Sequence, residues 1–267
     1  MSSRFDGQRF TALARERGLA LGAPFSAVEE TGSTNDDALA AARNGTPHGA
    51  TFLAEAQRSG RGRRGRSWVS PPGENLLFSV VLRPGLEPER VSSLTLVVGL
   101  AVREAVDKRL GGSARVKWPN DVVVEDRKLA GILVESQLIA GRIEALVAGI
   151  GINVGSIPAE VSDLATSLQA LGCADLERES LLCDVLAGLE ARLAIHARAG
   201  IAGLIEELRE HDALIGRRLR VDQATGIACG IDAGGALLLE DETGIRPIVS
   251  GTVELLEGRH PARAGPR

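Results

Sequence analysis

The sequence predicts an α+β fold: a larger domain built on a mixed β-sheet with packed helices, followed by a small C-terminal β-barrel. Strand-like apolar runs such as Leu76-Leu77-Phe78-Ser79-Val80-Val81-Leu82 alternate with helical patterns as far as about Gly151. After Gly216 the pattern changes to short strands punctuated by glycine, which suits a small barrel. With 267 residues, 44% of them hydrophobic, the chain can bury one sizeable core and a small companion. The expected division is residues 1–213 for the larger domain, 214–258 for the barrel, and a disordered tail at 259–267, rich in Pro, Gly and Arg.

The elements follow in order. Gly7 to Arg17 reads as a short amphipathic helix, and Ser33-Thr34-Asn35-Asp36-Asp37 supplies an N-cap and two first-turn acids for a helix running to about Asn44. A longer helix is expected from about Pro88 to Leu110. Strands are expected at Ala50 to Ala56, Leu76 to Leu82, Arg115 to Trp118, Val122 to Glu125, Lys128 to Gln137 and Arg142 to Gly151. Turns at Asp126-Arg127 and Ala140-Gly141 join the last three. Helices resume at Glu179 to Ala197 and Ile201 to Ala213. The barrel is expected from Arg218 to Val221, Gly226 to Ile231, Ala236 to Glu240 and Arg246 to Leu255.

Net charge is -4, so a general nucleic-acid binder is disfavoured and positive charge must be local to a site. Three widely spaced cysteines, Cys173, Cys183 and Cys229, form no CxxC pair and suggest neither a disulfide framework nor a zinc site. No apolar signal core opens the chain and no uncharged run is long enough to span a bilayer, so a cytoplasmic protein without membrane association is expected. The four histidines are scattered, and no convincing Ser/His/Asp or Cys/His set appears.

One local site stands out. From Gln57 to Trp68, five arginines are interleaved with three glycines. Glycine lets backbone approach a ligand closely, and each guanidinium offers a planar fork for carboxylate or phosphate. Like charges at this density repel, so the loop is expected to order over a bound anion. Taken alone, the run also reads as a solvated linker, an RNA-binding segment or a basic localisation patch. Its position between two core strands argues against a disordered tail.

Four further segments lie at element edges. Lys117-Trp118-Pro119-Asn120-Asp121 brings a lysine and a carboxylate to one turn, where they could pair or hold Mg²⁺. In Lys128-Leu129-Ala130-Gly131-Ile132-Leu133-Val134-Glu135, Gly131 would let a ligand lie against a strand, although Lys128 alone reads more readily as a solvated strand-end charge. Gly149-Ile150-Gly151-Ile152-Asn153 lacks the helix and third glycine of a dinucleotide fingerprint. Ser33-Thr34-Asn35 could cap a helix or meet a small polar ring.

Together and in this order, from about Val28 to Asn153, these motifs resemble the biotin protein ligases, with a looser match continuing into the C-terminal barrel. The resemblance implies a class II synthetase-like biotin/lipoate ligase fold. It implies an ATP- and Mg²⁺-dependent enzyme that activates biotin to biotinyl-5'-AMP and transfers it to a lysine of a biotin carboxyl carrier domain. By the same resemblance, Ser33, Thr34, Asn35, Gln57, Gly60 and Gly131 would meet biotin. Arg61 and Arg63 would hold the biotin carboxylate and the α-phosphate, and Lys117 and Lys128 would face phosphates, Lys128 nearest the reacting anhydride. Trp68, Asn120 and Asn153 would lie near the nucleotide, and Asp121 would help hold Mg²⁺. Only about thirty residues precede Ser33, so no operator-DNA binding is expected, and monomer against homodimer stays open. Leu77 stands where relatives often place an aromatic. A lipoate or octanoyl ligase of the same fold is the neighbouring reading, and an RNA-binding protein using the loop as an arm is the reading from another class.

Overall fold

The computed structural model describes residues 4–83, 90–139, 142–173 and 176–256. Seven strands form one sheet in the order β1-β2-β3-β7-β6-β5-β4. They are β1 (Phe25–Thr31), β2 (Thr51–Gln57), β3 (Leu76–Leu82), β4 (Arg115–Lys117), β5 (Asp121–Val124), β6 (Arg127–Ile139) and β7 (Arg142–Ile152). Only β1 and β2 run parallel, with α2 (Thr34–Arg43) making the crossover between them; every other pair is antiparallel.

Side-chain alternation gives this sheet two different faces. On β3 and β7, Leu76, Phe78, Val80, Leu146, Ala148, Ile150 and Ile152 point into the main core. That face is covered by α3 (Val91–Leu110), with α4 (Arg178–Ala199) and α1 (Gly7–Glu16) packed beyond it. Being enclosed between sheet and α4, α3 is apolar almost all round, and Leu94, Val97, Val98, Leu100, Ala101 and Val102 are fully buried. On the opposite face, Val81, Ala145 and Val147 meet Ala38 and Ala42 of α2 in a smaller core. Small residues there let α2 sit close, and it covers only part of the face. The remainder is the floor of a cavity.

A second antiparallel sheet, ordered β11-β10-β9-β8-β12, contains β8 (Arg218–Val221), β9 (Ala224–Ile231), β10 (Leu237–Asp241), β11 (Gly244–Ile248) and β12 (Val253–Leu255). It is fastened to the first by the Trp118 indole N–H donating to Gly235 O at 3.1 Å and by a two-bond Arg217–Asp126 ion pair.

Several expectations need correction. Strand β1 was not expected: Ser26, Glu29, Glu30 and Thr31 break the apolar pattern, because an edge strand with exposed side chains needs no apolar face. The single strand expected at Arg246 to Leu255 is two, β11 and β12, separated around Ser250 and Gly251. The helix expected at Ile201 to Ala213 is a 3₁₀ turn followed by a short α5 (Ile205–Glu210), since the chain must leave the helix for Asp212 to bridge Val116. Helix α3 starts at Val91; the expected residues before Arg90, the Ala140-Gly141 turn and the tail at 259–267 lie outside the described residues.

A buried ion pair joins the sheet to α4. Glu55 accepts from Arg178 at 2.7 and 3.1 Å and from the Phe5 backbone N–H at 2.6 Å, and both side chains are at least nine-tenths buried. Glu55→Ala breaks this buried ion pair by removing one partner and should cost about 3–5 kcal/mol. The check is a urea transition; an unchanged midpoint would contradict it.

Candidate active site

The cavity has a volume of about 650 Å³, within the usual range for small-molecule sites. Its floor is glycine. Gly131 of β6 and Gly151 of β7 are cross-strand partners, as are Leu133 and Gly149. Because these positions carry no Cβ, side chains from elsewhere lie directly on the backbone. A Cβ on Gly151 would sit 2.6 Å from the Trp68 ring and one on Gly131 2.7 Å from it, so the indole spans both strands. The indole N–H is buried and finds no acceptor among the described residues.

Lys128 reaches this floor because of a bulge. Val122 pairs with Ala130 but Val123 pairs with Lys128, so one extra residue, Leu129, is inserted in β6. The insertion reverses the facing, turning Leu129 into the core and Lys128 onto the face of Gly131. Lys128 Nζ then lies 2.6 Å from Asp121 Oδ1 and 5.3 Å from the centroid of the Trp68 ring. Asn153 supports the bulge: its amide donates to Lys128 O at 3.3 Å and to Thr166 O at 3.0 Å. Asn120 likewise spends its amide on Ile132 O at 3.0 Å. Both line the cavity, but these donors hold backbone.

The polar end is built at the start of α2. Ser33 is the N-cap residue, as expected, but its hydroxyl makes no capping bond. Gln57 at the end of β2 caps instead, its Oε1 accepting from the Thr34 N–H at 2.8 Å and from the Thr34 hydroxyl at 3.2 Å. Ser79 donates to Asn35 Oδ1 at 2.6 Å, and Asn35 donates to Glu135 at 2.6 Å. Gly149 makes room for Asn35; a Cβ there would lie 2.1 Å from its Oδ1. Thr34, Asn35 and Gln57, joined through Ser79, therefore form one hydrogen-bonded wall, with Ser33 beside it in the cavity lining.

The arginine–glycine run folds as a tight hairpin over this floor. Trp68 N–H donates to Gly60 O at 2.8 Å, Arg61 bridges Ser67, and Gly62 N–H donates to Arg66 O at 2.7 Å. Carboxylates then divide the arginines. Arg58 pairs with Glu30, Arg61 with Asp36 and Glu135, and Arg64 with Asp222 of the small sheet in two bonds at 2.7 and 2.8 Å. The Arg64 bonds, with a backbone bond from Thr252, hold Asp222 down at about 2. Arg63, like Arg66, has no carboxylate at ion-pair distance among the described residues, and it lines the cavity. Burial and its neighbours Arg64 and Arg66 push its pKa down, partly offset by Asp121. A guanidinium nevertheless stays protonated, so this surplus charge invites an anion.

Of the residues expected in the site, Ser33, Thr34, Asn35, Gln57, Arg61, Arg63, Trp68, Asn120, Lys128, Gly131 and Asn153 all line the cavity. Gly60, Lys117 and Asp121 do not. Gly60 is the hairpin base, Asp121 stands behind Lys128, and Lys117 is mostly buried, with burial pushing its pKa down against the pull of Asp121 and Asp126. Lys117 and Asp121 are register partners, but the ion pair joins Asp121 to Lys128. Leu77 is buried and does not line the cavity. Missed by sequence reasoning were Asp36 and Glu135 as partners of Arg61, Ser79, and a wall from Ile157 to Ala165. The two-residue spacing of Gly131, Leu133 and Glu135 was a usable signal for Glu135.

Comparison with known proteins agrees on one family. Residues 29–153 match the model for the biotin/lipoate A/B protein ligase family and 216–256 that for the biotin protein ligase C terminal domain. The bifunctional ligase/repressor BirA of Bacillus subtilis is 35% identical over 232 residues, 84% of this chain and 71% of that protein. The biotin--[acetyl-CoA-carboxylase] ligase of Mycobacterium tuberculosis is 38% identical over 223 residues, 80% and 82% of the two chains. Among solved structures, the biotin protein ligase from Aquifex aeolicus in complex with biotin and ATP superposes with a TM-score of 0.76 at 30% identity, covering 88% of this chain and 99% of that one.

Proposed function

This chain belongs to the biotin protein ligase family, and from that premise we propose that its cavity joins biotin to ATP as biotinyl-5'-AMP and passes the acyl group to a lysine of a biotin carboxyl carrier domain. The observation that carries the reading is the pairing within one cavity of a polar wall with an unneutralised arginine. Ser33, Thr34, Asn35 and Gln57 offer donors and acceptors of the kind a urea-type ring needs, and Arg63 with Lys128 offers cations for carboxylate and phosphate.

In the first step a carboxylate oxygen of biotin attacks the α-phosphorus of ATP, the bond to the bridging oxygen breaks, and pyrophosphate leaves. Two anions must approach, and the phosphorane-like charge grows on the α-phosphate oxygens. Arg63 and Lys128 would neutralise that charge without forming a bond to the reacting atoms. Arg61, engaged by Asp36 and Glu135, would hold the hairpin closed over the mixed anhydride and exclude water. In the second step the neutral ε-amine of the carrier lysine attacks the acyl carbon, AMP leaves with the electron pair of the anhydride bond, and the amine loses a proton. No covalent enzyme intermediate is needed.

Asp121 is a single carboxylate beside Lys128, and the described residues contain no cage of three or more metal-ligating side chains. That donor set suits Mg²⁺ brought in on the nucleotide phosphates, and Asp121, which lies outside the cavity lining and is held by Lys128, would become a ligand only on letting Lys128 go. When bound, the ion would supply charge neutralisation at the phosphates. Among the described residues no helix is long and apolar enough to cross a membrane, and a cytoplasmic setting agrees with the reaction's need for ATP.

The test is pyrophosphate release from ATP·Mg²⁺ with biotin, lipoate or neither, then mass spectrometry of an added carrier domain. Release that requires biotin, with one biotin mass on the carrier, is expected. Release with lipoate alone would move the chain to the sister branch of the family.

A further inference from the structure

Glu135 belongs to none of the chemical groups just described, yet its carboxylate touches both halves of the site. It lies on the cavity face of β6, two and four residues on from Leu133 and Gly131, which line the cavity. Its Oε2 accepts from Asn35 Nδ2 at 2.6 Å and from Arg61 Nη2 at 3.0 Å, and its Oε1 lies 3.3 Å from the same Nη2. Asn35 is otherwise held by Ser79 and by a weaker bond to Leu133 O, and Arg61 by Asp36 at 2.6 Å. One carboxylate thus joins the amide that builds the polar wall to the guanidinium that seats the hairpin.

We propose that Glu135 is a positioning residue that couples the polar wall to the arginine–glycine hairpin: it orients the Asn35 amide and, through Arg61, sets where Arg63 stands. The geometry requires this of a carboxylate in particular. Asn35 Nδ2 needs an acceptor and Arg61 needs a charged one, and an ionised carboxylate has lone pairs enough for both, whereas an amide can accept but carries no charge. The arrangement also divides the labour among the arginines. Arg61 is held by Asp36 and Glu135 as an anchor, which leaves Arg63 and Arg66 for the anion. A ligand seated at the wall and the closure of the hairpin over it would then be felt through the same side chain. This coupling rests on the ligase reading for its consequence, while the hold on the hairpin does not.

The test compares Glu135→Gln, Glu135→Ala and the wild type as full-length proteins. The first readout is the rate of tryptic cleavage within residues 58–66 without ligands, which reports the seat of the hairpin whatever the substrate. The second is the KM for biotin against kcat in pyrophosphate release. Glu135→Gln keeps an acceptor for Asn35 and should leave the biotin KM within about threefold of wild type, while hairpin cleavage rises by roughly tenfold on loss of a charge-assisted bond. Glu135→Ala should raise both, each by about tenfold or more. A parallel rise in both for the two variants would overturn the division of roles, as would wild-type cleavage and KM in either. Faster hairpin cleavage in the variants of a protein silent with biotin would leave the hold standing and sink the ligase reading instead.

Discussion

Lys128→Ala is expected to slow formation of the adenylate by roughly 10²–10³-fold, the range for removing one preorganised charge stabiliser. The bulge at Leu129 exists to turn this side chain onto the glycine floor, and its ammonium sits against the Trp68 ring beside Asp121. Truncation removes the cation and leaves Asp121 without its ion-pair partner, so the site loses one positive charge and keeps a carboxylate that only Arg63 and Lys117 still offset. Biotin affinity should change far less. The wall of Thr34, Asn35 and Gln57 is held by its own hydrogen bonds and by Ser79, none of which involves Lys128. Single-turnover quenched flow with saturating biotin and ATP measures the step directly. A wild-type rate constant would remove Lys128 from the chemistry, and a rise in biotin KM at unchanged kcat would make it a binding residue.

The sequence made most of this site legible because its elements are locally encoded. Glycines at Gly131, Gly149 and Gly151 are visible as glycines, and the hairpin's arginines stand in one run. What stayed hidden is what the fold brings from a distance. Arg61 reads from sequence as an anion holder, while the carboxylates it meets in this structure, Asp36 and Glu135, stand far from it along the chain. Arg64 is claimed in the same way by Asp222 of the small sheet. The capping role assigned to Ser33 passes to Gln57 for the same reason, since β2 ends where α2 begins. The strands followed this rule as well. β3, buried on both faces, reads as a continuous apolar run, whereas β1, exposed at the edge, carries no pattern to read.

Gly60→Val is expected to reduce biotin-dependent pyrophosphate release by about 100-fold in kcat/KM, the order of loss when a positioning group is displaced by an ångström. A Cβ at Gly60 would stand 2.5 Å from the Trp68 carbonyl oxygen, 3.2 Å from Gln57 Nε2 and 3.4 Å from Trp68 Cβ. The first of these is backbone and cannot rotate away. It belongs to the residue whose N–H donates to Gly60 O at 2.8 Å, so relief of the clash must spread the base of the hairpin. Arg61 follows next in the chain and Arg63 two residues later, so the displacement falls on both the anchor and a free guanidinium. Contact with Gln57 carries the disturbance to Thr34 and the polar wall. The control lies in the same loop. A Cβ at Gly62 would meet its nearest neighbour, Arg66 O, at 3.5 Å, an ordinary contact, and the backbone there is extended at φ -116°. Gly62→Ala should therefore stay within about twofold of wild type, as for a change worth no more than ~0.5 kcal/mol. Equal losses in the two variants would show that the loop needs its glycines for flexibility; loss at Gly60 alone would show that it needs this one for the close crossing of Trp68.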